Sequence, residues 1–126
     1  ESLRSPLIIS YKGIPKPGEA TRSVVETLDL FPTVCDLAGL EKPDFLHGQS
    51  LAPILKNPQA KGHSAIAYRG GAQTIRTDTH RLITHQKGEL ELYDHTTPEG
   101  ETKNLAADQP KKASVLLKQL QARLAK

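Results

Sequence analysis

Four short segments in the middle of the chain, SAIAYR, AQTIRT, HRLITHQ and ELELYD, carry strand-like patterning, and little but turn chemistry separates them. Ile75, Leu82, Leu90 and Leu92 stand among polar partners, so the segments have one face suited to a core and one suited to water. Gly, Asp and Lys-Gly turns join them, and HQKGEL is a tight hairpin signal. This pattern predicts an antiparallel meander. Such a sheet needs a cover for its apolar face, and the chain supplies one at once. Ala113, Leu116, Leu117, Leu120 and Leu124 recur at helical spacing, with Asp108 placed to cap the helix and Pro110 in its first turn. Burying those leucines contributes roughly 6–12 kcal/mol before ordering costs. The second half therefore reads as an α+β unit, a four-stranded antiparallel sheet packed by a C-terminal helix.

The first half is organised differently. In PLIIS, residues 7–10 form an unbroken apolar run with β-branched members, which suits a strand buried on both faces of a parallel sheet. Such a strand needs neighbours, and no other strand signal lies near it. VVETLDLFPTVCDLAGL follows as a helix with both ends marked: Asp29 as N-cap, Pro32 in the first turn and Gly39 as the left-handed terminator. Leu30, Phe31, Val34, Leu37 and Ala38 make a wide apolar face, which predicts a well-buried helix with Cys35 as a small buried hydrophobe. A short helical turn near 51–56 sits between loops. The expected division is 1–60, a strand, helix and loop that end a larger α/β domain, and 61–126, the meander with its helix.

Composition closes off several function classes. With 126 residues, 37% hydrophobic and 25% charged, the chain is one globular domain's worth of sequence. A net charge of +3 with 2 Phe, 3 Tyr and no Trp offers little to nucleic acid. The apolar runs are far shorter than a membrane span. A single cysteine excludes an internal disulfide and a cysteine-based zinc site. The opening ESLRSPLIIS has no leader and no initiating Met, so the expectation is a chain whose start was cut away or that begins partway into a larger protein.

The densest chemistry by residue type is ELYDHTTPEGETKNLA. A calcium loop alternates acids or amides around a glycine, yet DHTTPEGETKNL places Thr96 and Thr97 where ligands would fall. Pro98 and Gly100 mark a turn instead. His80 and His85 are five apart on a strand and point to opposite faces, so they do not share a metal. His47 and His63 have no partner at ligand spacing. GHSAI lacks the flanking glycines of a nucleophile elbow, and YRGGAQ lacks the Lys-Ser/Thr of a phosphate loop. The lysines and Arg123 of the last helix fit a solvated face. Arg69, Arg76, Arg81 and the meander histidines form a denser cationic set, and the planar arginine fork suits sulfate or carboxylate.

Four motifs in one order carry a family likeness. ESLRSPLIIS looks like the buried strand after the catalytic core of the sulfatases, in the alkaline-phosphatase superfamily. VVETLDLFPTVCDLAGL is similar to that family's Asp-Leu-Phe-Pro-Thr helix, and FLHGQSLAPIL resembles its Gly-x-Ser-Leu-x-Pro loop. TIRTDTHRLITHQKGELELYDHTTPEGETKNLA looks like its terminal meander, ending in Glu-Leu-Tyr-Asp and Asn-Leu-Ala. The likeness is greatest to the iduronate-2-sulfatase-like group. It implies a C-terminal segment of a sulfuric ester hydrolase, exported to the periplasm, the lysosome or outside the cell. It also implies a parent enzyme that uses calcium and a formylglycine made from a Cys/Ser-x-Pro/Ala-x-Arg motif. Cys35, in CDLAG, lacks that motif, so this chain holds neither nucleophile nor metal ligands and is expected to be inactive alone. By position, Arg69, Arg76, His80 and His85 are the candidates for a substrate-pocket wall. The implied partners are the remainder of the sulfatase chain and a sulfated carbohydrate, with no nucleic acid and no membrane. Two alternatives stay open: a non-catalytic module binding sulfated glycans, and a segment of a phosphodiesterase or phosphonate hydrolase of the same superfamily.

Overall fold

The computed structural model describes residues 5–125. The first four residues of ESLRSPLIIS, and Lys126, lie outside them. The chain forms two compact units, Glu1–Gly62 and His63–Lys126.

The second unit is the expected α+β arrangement. Strands β1 (Ala65–Arg69), β2 (Ala72–Arg76), β3 (His80–Thr84) and β4 (Leu90–Asp94) form one antiparallel sheet in chain order, and α3 (Pro110–Leu124) packs on it. The register aligns one apolar row across all four strands: Ile66 opposite Ile75, Ile75 opposite Leu82, and Leu82 opposite Leu92. Ile75, Leu82 and Leu92 are fully buried, and Ala113, Leu116 and Leu120 of α3 complete the core. This is why a period-two pattern and a helical stripe end up facing each other. The stripe is narrower than the sequence suggests. Leu117 is half-buried and Leu124 is 36% exposed, because a single helix turns its flanks to water. The cap also moves by one residue. Gln109, not Asp108, occupies the N-cap position, and Pro110 opens the helix with no N–H to satisfy.

Turn chemistry fixes the meander. Gly70 (φ +57°) leads a two-residue hairpin between β1 and β2. Between β3 and β4, Gly88 N–H donates to the His85 carbonyl at 2.9 Å and His85 N–H to Glu89 at 3.0 Å, with Gly88 left-handed at φ +81°. The outer edge of β4 is covered by Asn104, whose side chain accepts from Leu92 N–H at 3.0 Å and donates to the Leu90 carbonyl at 3.1 Å. Leu105 N–H then donates to the Leu92 carbonyl at 2.8 Å. The Asn of Asn-Leu-Ala thus imitates a neighbouring strand.

The first unit differs more from expectation. Residues 7–10 pair with no strand among the described residues, and Ile8 is 89% exposed. An isolated apolar run has no backbone partner and so cannot register as a strand. A single 3-10 turn (Thr27–Asp29) leads into α1 (Leu30–Ala38), which Gly39 ends at φ +66°, and α2 (Ala52–Lys56) follows. The predicted burial of α1 is reversed on its apolar face. Pro32, Thr33 and Cys35 are buried, while Phe31 and Val34 are 55% and 60% exposed. Within this unit the helix packs through its Thr-Cys side toward α2, and its most apolar face points away.

Candidate functional site

Two sets of polar side chains hold the regions where the sequence concentrates motif residues. The first belongs to Asp-Leu-Phe-Pro-Thr. The Asp29 carboxyl is fully buried, and its oxygens accept from Glu26 N–H at 2.7 Å and Gln49 N–H at 2.8 Å. It does not cap α1 through its side chain, as the sequence suggested, but ties the turn before the helix to the loop at 49. Thr33 Oγ1 donates to the Asp29 carbonyl at 2.5 Å and accepts from Leu51 N–H at 2.7 Å. Gly48 completes the clamp, because a Cβ there would sit 2.0 Å from the Leu28 carbonyl oxygen. The Gly-x-Ser-Leu loop is therefore pinned to the helix by hydrogen bonds, and both motifs are structural.

The second set lies on the face of the sheet opposite α3. Arg81, opposite Tyr93 in the register, donates through Nε to Thr74 and through one terminal nitrogen to both Glu101 oxygens, at 2.8 and 3.1 Å. His95 Nε2 meets the same carboxylate at 3.0 Å. Burial pulls the Glu101 carboxyl upward, but the Arg81 bridge, its charge and His95 together hold it below the usual range. Asp94 is also held low, first by the Thr96 hydroxyl and then by the Thr96 N–H. Asp94 and Glu101 thus spend their oxygens on shaping and anchoring a turn, as the Pro and Gly of ELYDHTTPEGE implied.

One strand spacing away, Glu91 links two neighbours. Tyr93 donates its hydroxyl to Glu91 Oε2, and His85 Nε2 lies 2.6 Å from Oε1. The Tyr93 hydroxyl, then His85, hold the Glu91 carboxyl low, and the same bond pushes the Tyr93 phenol up to about 12. Glu91 and Tyr93 were not singled out by sequence. The available signal was alternation: in ELELYD, Glu91 and Tyr93 are the wet-face positions that Leu90 and Leu92 leave over.

The four candidate residues separate by register. Arg69, Arg76 and His85 belong to the face away from α3, with Arg69 and Arg76 at opposite ends of the β1–β2 hairpin. Arg69 pairs with Ala72, and Thr84 with Gln73, so His85 shares Arg69's cross-strand row. His80 is buried at 9% exposure on the other face, in register with Asp94, where burial first and the Lys112 charge next hold its imidazole below the ordinary range. The structure brings Arg69 and His85 to one end of the sheet and does not bring His80 to them.

A family model described as N-sulphoglucosamine sulphohydrolase, C-terminal, matches residues 1–126. The chain belongs to this sulfatase family. It is 33% identical to a Δ4,5-hexuronate-2-O-sulfatase of Bacteroides thetaiotaomicron, over 92% of its own length and 27% of that protein. It is 30% identical to an N-acetylglucosamine-6-O-sulfatase of the same bacterium, over 96% and 25%. A protein solved in complex with its substrate D-glucosamine-2-N,6-O-disulfate is 29% identical, with a TM-score of 0.61, over 75% of this chain and 22% of that one. The chain therefore spans about a quarter of the length of the curated relatives it matches. Among the described residues no helix is long and apolar enough to cross a membrane.

Sulfatases imply a formylglycine and a metal ion; Cys35 does not fit the first, and Asp94 and Glu101 do not fit the second. Cys35 is 5% exposed inside α1 and precedes Asp36 and Leu37 rather than the modification motif. The Asp94 and Glu101 oxygens are held by the turn and by Arg81.

Proposed function

We propose that this chain is the C-terminal portion of a sulfatase that hydrolyses sulfate esters of carbohydrates in a periplasmic, secreted or lysosomal setting. The formylglycine and calcium ligands belong to the rest of the parent polypeptide, and the larger α/β domain there receives residues 7–10 as a strand and covers the exposed side of α1. This segment completes the fold and lends Arg69, Arg76, His80 and His85 to a pocket wall, His80 from the buried side as a support. The carrying observation is a whole-length family match to a segment one quarter the size of sulfated-sugar sulfatases. The apolar face of α1 supports it, since Leu28, Phe31, Val34 and Leu40 are each more than half exposed.

Sulfate release tests the reading. The full parent protein should liberate sulfate from sulfated saccharides and from 4-nitrophenyl sulfate, and the 126-residue chain should liberate none. Turnover by the chain alone overturns the division of roles. A parent inert on both substrates, with a chain that binds sulfated glycans in a salt-sensitive way, puts a binding module in its place.

A further inference from the structure

We propose that His85, oriented by Glu91 and Tyr93, forms with Arg69 a two-pronged site for an anionic group, sulfate or carboxylate, carried by the sugar; this rests on the sulfatase reading above. His85 follows β3 at the hairpin tip, and its Nε2 is held 2.6 Å from Glu91 Oε1. The other Glu91 oxygen is held by the Tyr93 hydroxyl, so the carboxylate cannot swing away. An imidazole fixed through one nitrogen presents the other in a set direction. No described side chain hydrogen-bonds His85 Nδ1, and the side chain is 37% exposed.

The row gives the second prong. Arg69 and His85 flank Ala72, so their backbones are two strand spacings apart, about 10 Å. Ala72 between them carries only a methyl group, which leaves room above the sheet for a ligand. The tips of the two hairpins are packed together there, since a Cβ on Gly71 would lie 2.0 Å from Gln86 Cγ. That contact fixes the spacing of the prongs. The charged and titratable groups around His85 are Glu91 and Tyr93 of β4, Arg69 of β1, and Lys87 and Glu89 of its own turn. Lys87 and Arg69 stand at this end against Glu89, and a bidentate arginine beside a histidine ring suits an oxyanion. Glu91 and Tyr93 touch no ligand and are positioning residues.

The test uses the full parent enzyme with sulfated disaccharides and, separately, 4-nitrophenyl sulfate. Glu91→Gln should raise KM for the disaccharide about tenfold, with a smaller change in kcat. Tyr93→Phe should raise KM in the same direction by a smaller factor, and it keeps the ring should Glu91→Gln fold poorly. Arg69→Lys should not restore what Arg69→Ala loses. Disaccharides whose only anion is the scissile sulfate separate the two ligand sources: equal losses on these and on carboxylated ones assign the site to sulfate, and losses on carboxylated sugars alone assign it to the uronate. If the unaltered enzyme releases sulfate from neither the disaccharides nor 4-nitrophenyl sulfate, the sulfatase reading itself falls. If it succeeds and KM for the disaccharide is unchanged in Glu91→Gln and Tyr93→Phe, only the present inference falls.

Discussion

Replacing Thr33 by Val should open the loop that carries Leu51 while leaving the shape of α1 intact. Valine matches threonine in volume, so no cavity forms and the effect isolates the hydroxyl. Two bonds disappear: the one to the Asp29 carbonyl and the one from Leu51 N–H. The carbonyl sits at the start of a helix and keeps other partners, so its loss is small. Leu51 is 3% exposed, and stranding its N–H away from water costs about 1–3 kcal/mol. Adding the lost neutral bond brings the total to roughly 2–4 kcal/mol. At 1.4 kcal/mol per factor of ten, the Leu51 amide should exchange with solvent deuterium roughly 30- to 1,000-fold faster. Thr33→Ser keeps the hydroxyl and removes one methyl, a cost of about 1 kcal/mol that leaves the Leu51 bond in place. Amide exchange read residue by residue in the three proteins decides the matter. A Leu51 rate within threefold of the parent in Thr33→Val, or equal rates in the Ser and Val variants, would refute the clamp.

Three further outcomes follow from the geometry. Gly48→Ala forces a Cβ against the Leu28 carbonyl and should destabilise the first unit by more than about 2 kcal/mol; an unchanged denaturation midpoint would show that the loop is not held so close. In alkaline titration followed at 295 nm, one phenol should ionise near 12, and that step should vanish in Tyr93→Phe and move toward 10 in Glu91→Gln. Because the folded value is raised, stability from this bond is full below about pH 10 and is lost as pH rises toward 12; a step unmoved by Glu91→Gln argues against the bond. Burial keeps His80 neutral in the folded chain, whereas the unfolded chain protonates it near 6.5. Stability tied to His80 is therefore full above pH 6.5 and falls as pH drops toward the lowered folded value, and His80→Gln should flatten that decline in denaturant midpoints.

Why the second unit was legible and the first only in part comes down to where each pattern finds its partner. Ile75, Leu82, Leu92 and the Leu116–Leu120 stripe cover one another, so local period alone decided sheet, helix and the face each buries. The opposite-face placement of His80 and His85 follows from the same period. Residues 7–10 and the Phe31–Val34 face carry equally strong apolar signals, yet within the described residues nothing complements them. Burial is a property of a pair of surfaces, and a sequence pattern names only one of them. The hydrogen-bond clamps were illegible for another reason. Asp29 read as a helix cap because capping is the common local use of such a residue, whereas its partner Gln49 lies 20 residues on.

Those clamps share a physical logic that bears on where chemistry can reside. Asp29, Thr33 and Asn104 each satisfy two or more backbone groups with one side chain, at places where no helix or strand supplies the bond. The Asp94 carboxylate takes one backbone N–H and the hydroxyl of Thr96 in the turn after β4. A side chain committed to buried backbone groups cannot also meet a substrate without leaving them unsatisfied, which would cost more than a typical ligand bond returns. The most recognisable motifs of this segment are consequently its least available residues. What they position is available: the hairpin ends, where Arg69 projects from β1 and His85 is steadied from behind by Glu91. His80 makes the contrast sharp, since its neutral, buried imidazole serves the core only as long as it stays uncharged. Two histidines five residues apart thus lie on opposite faces of the sheet, and only the one outside the core has a ring nitrogen left open to a ligand.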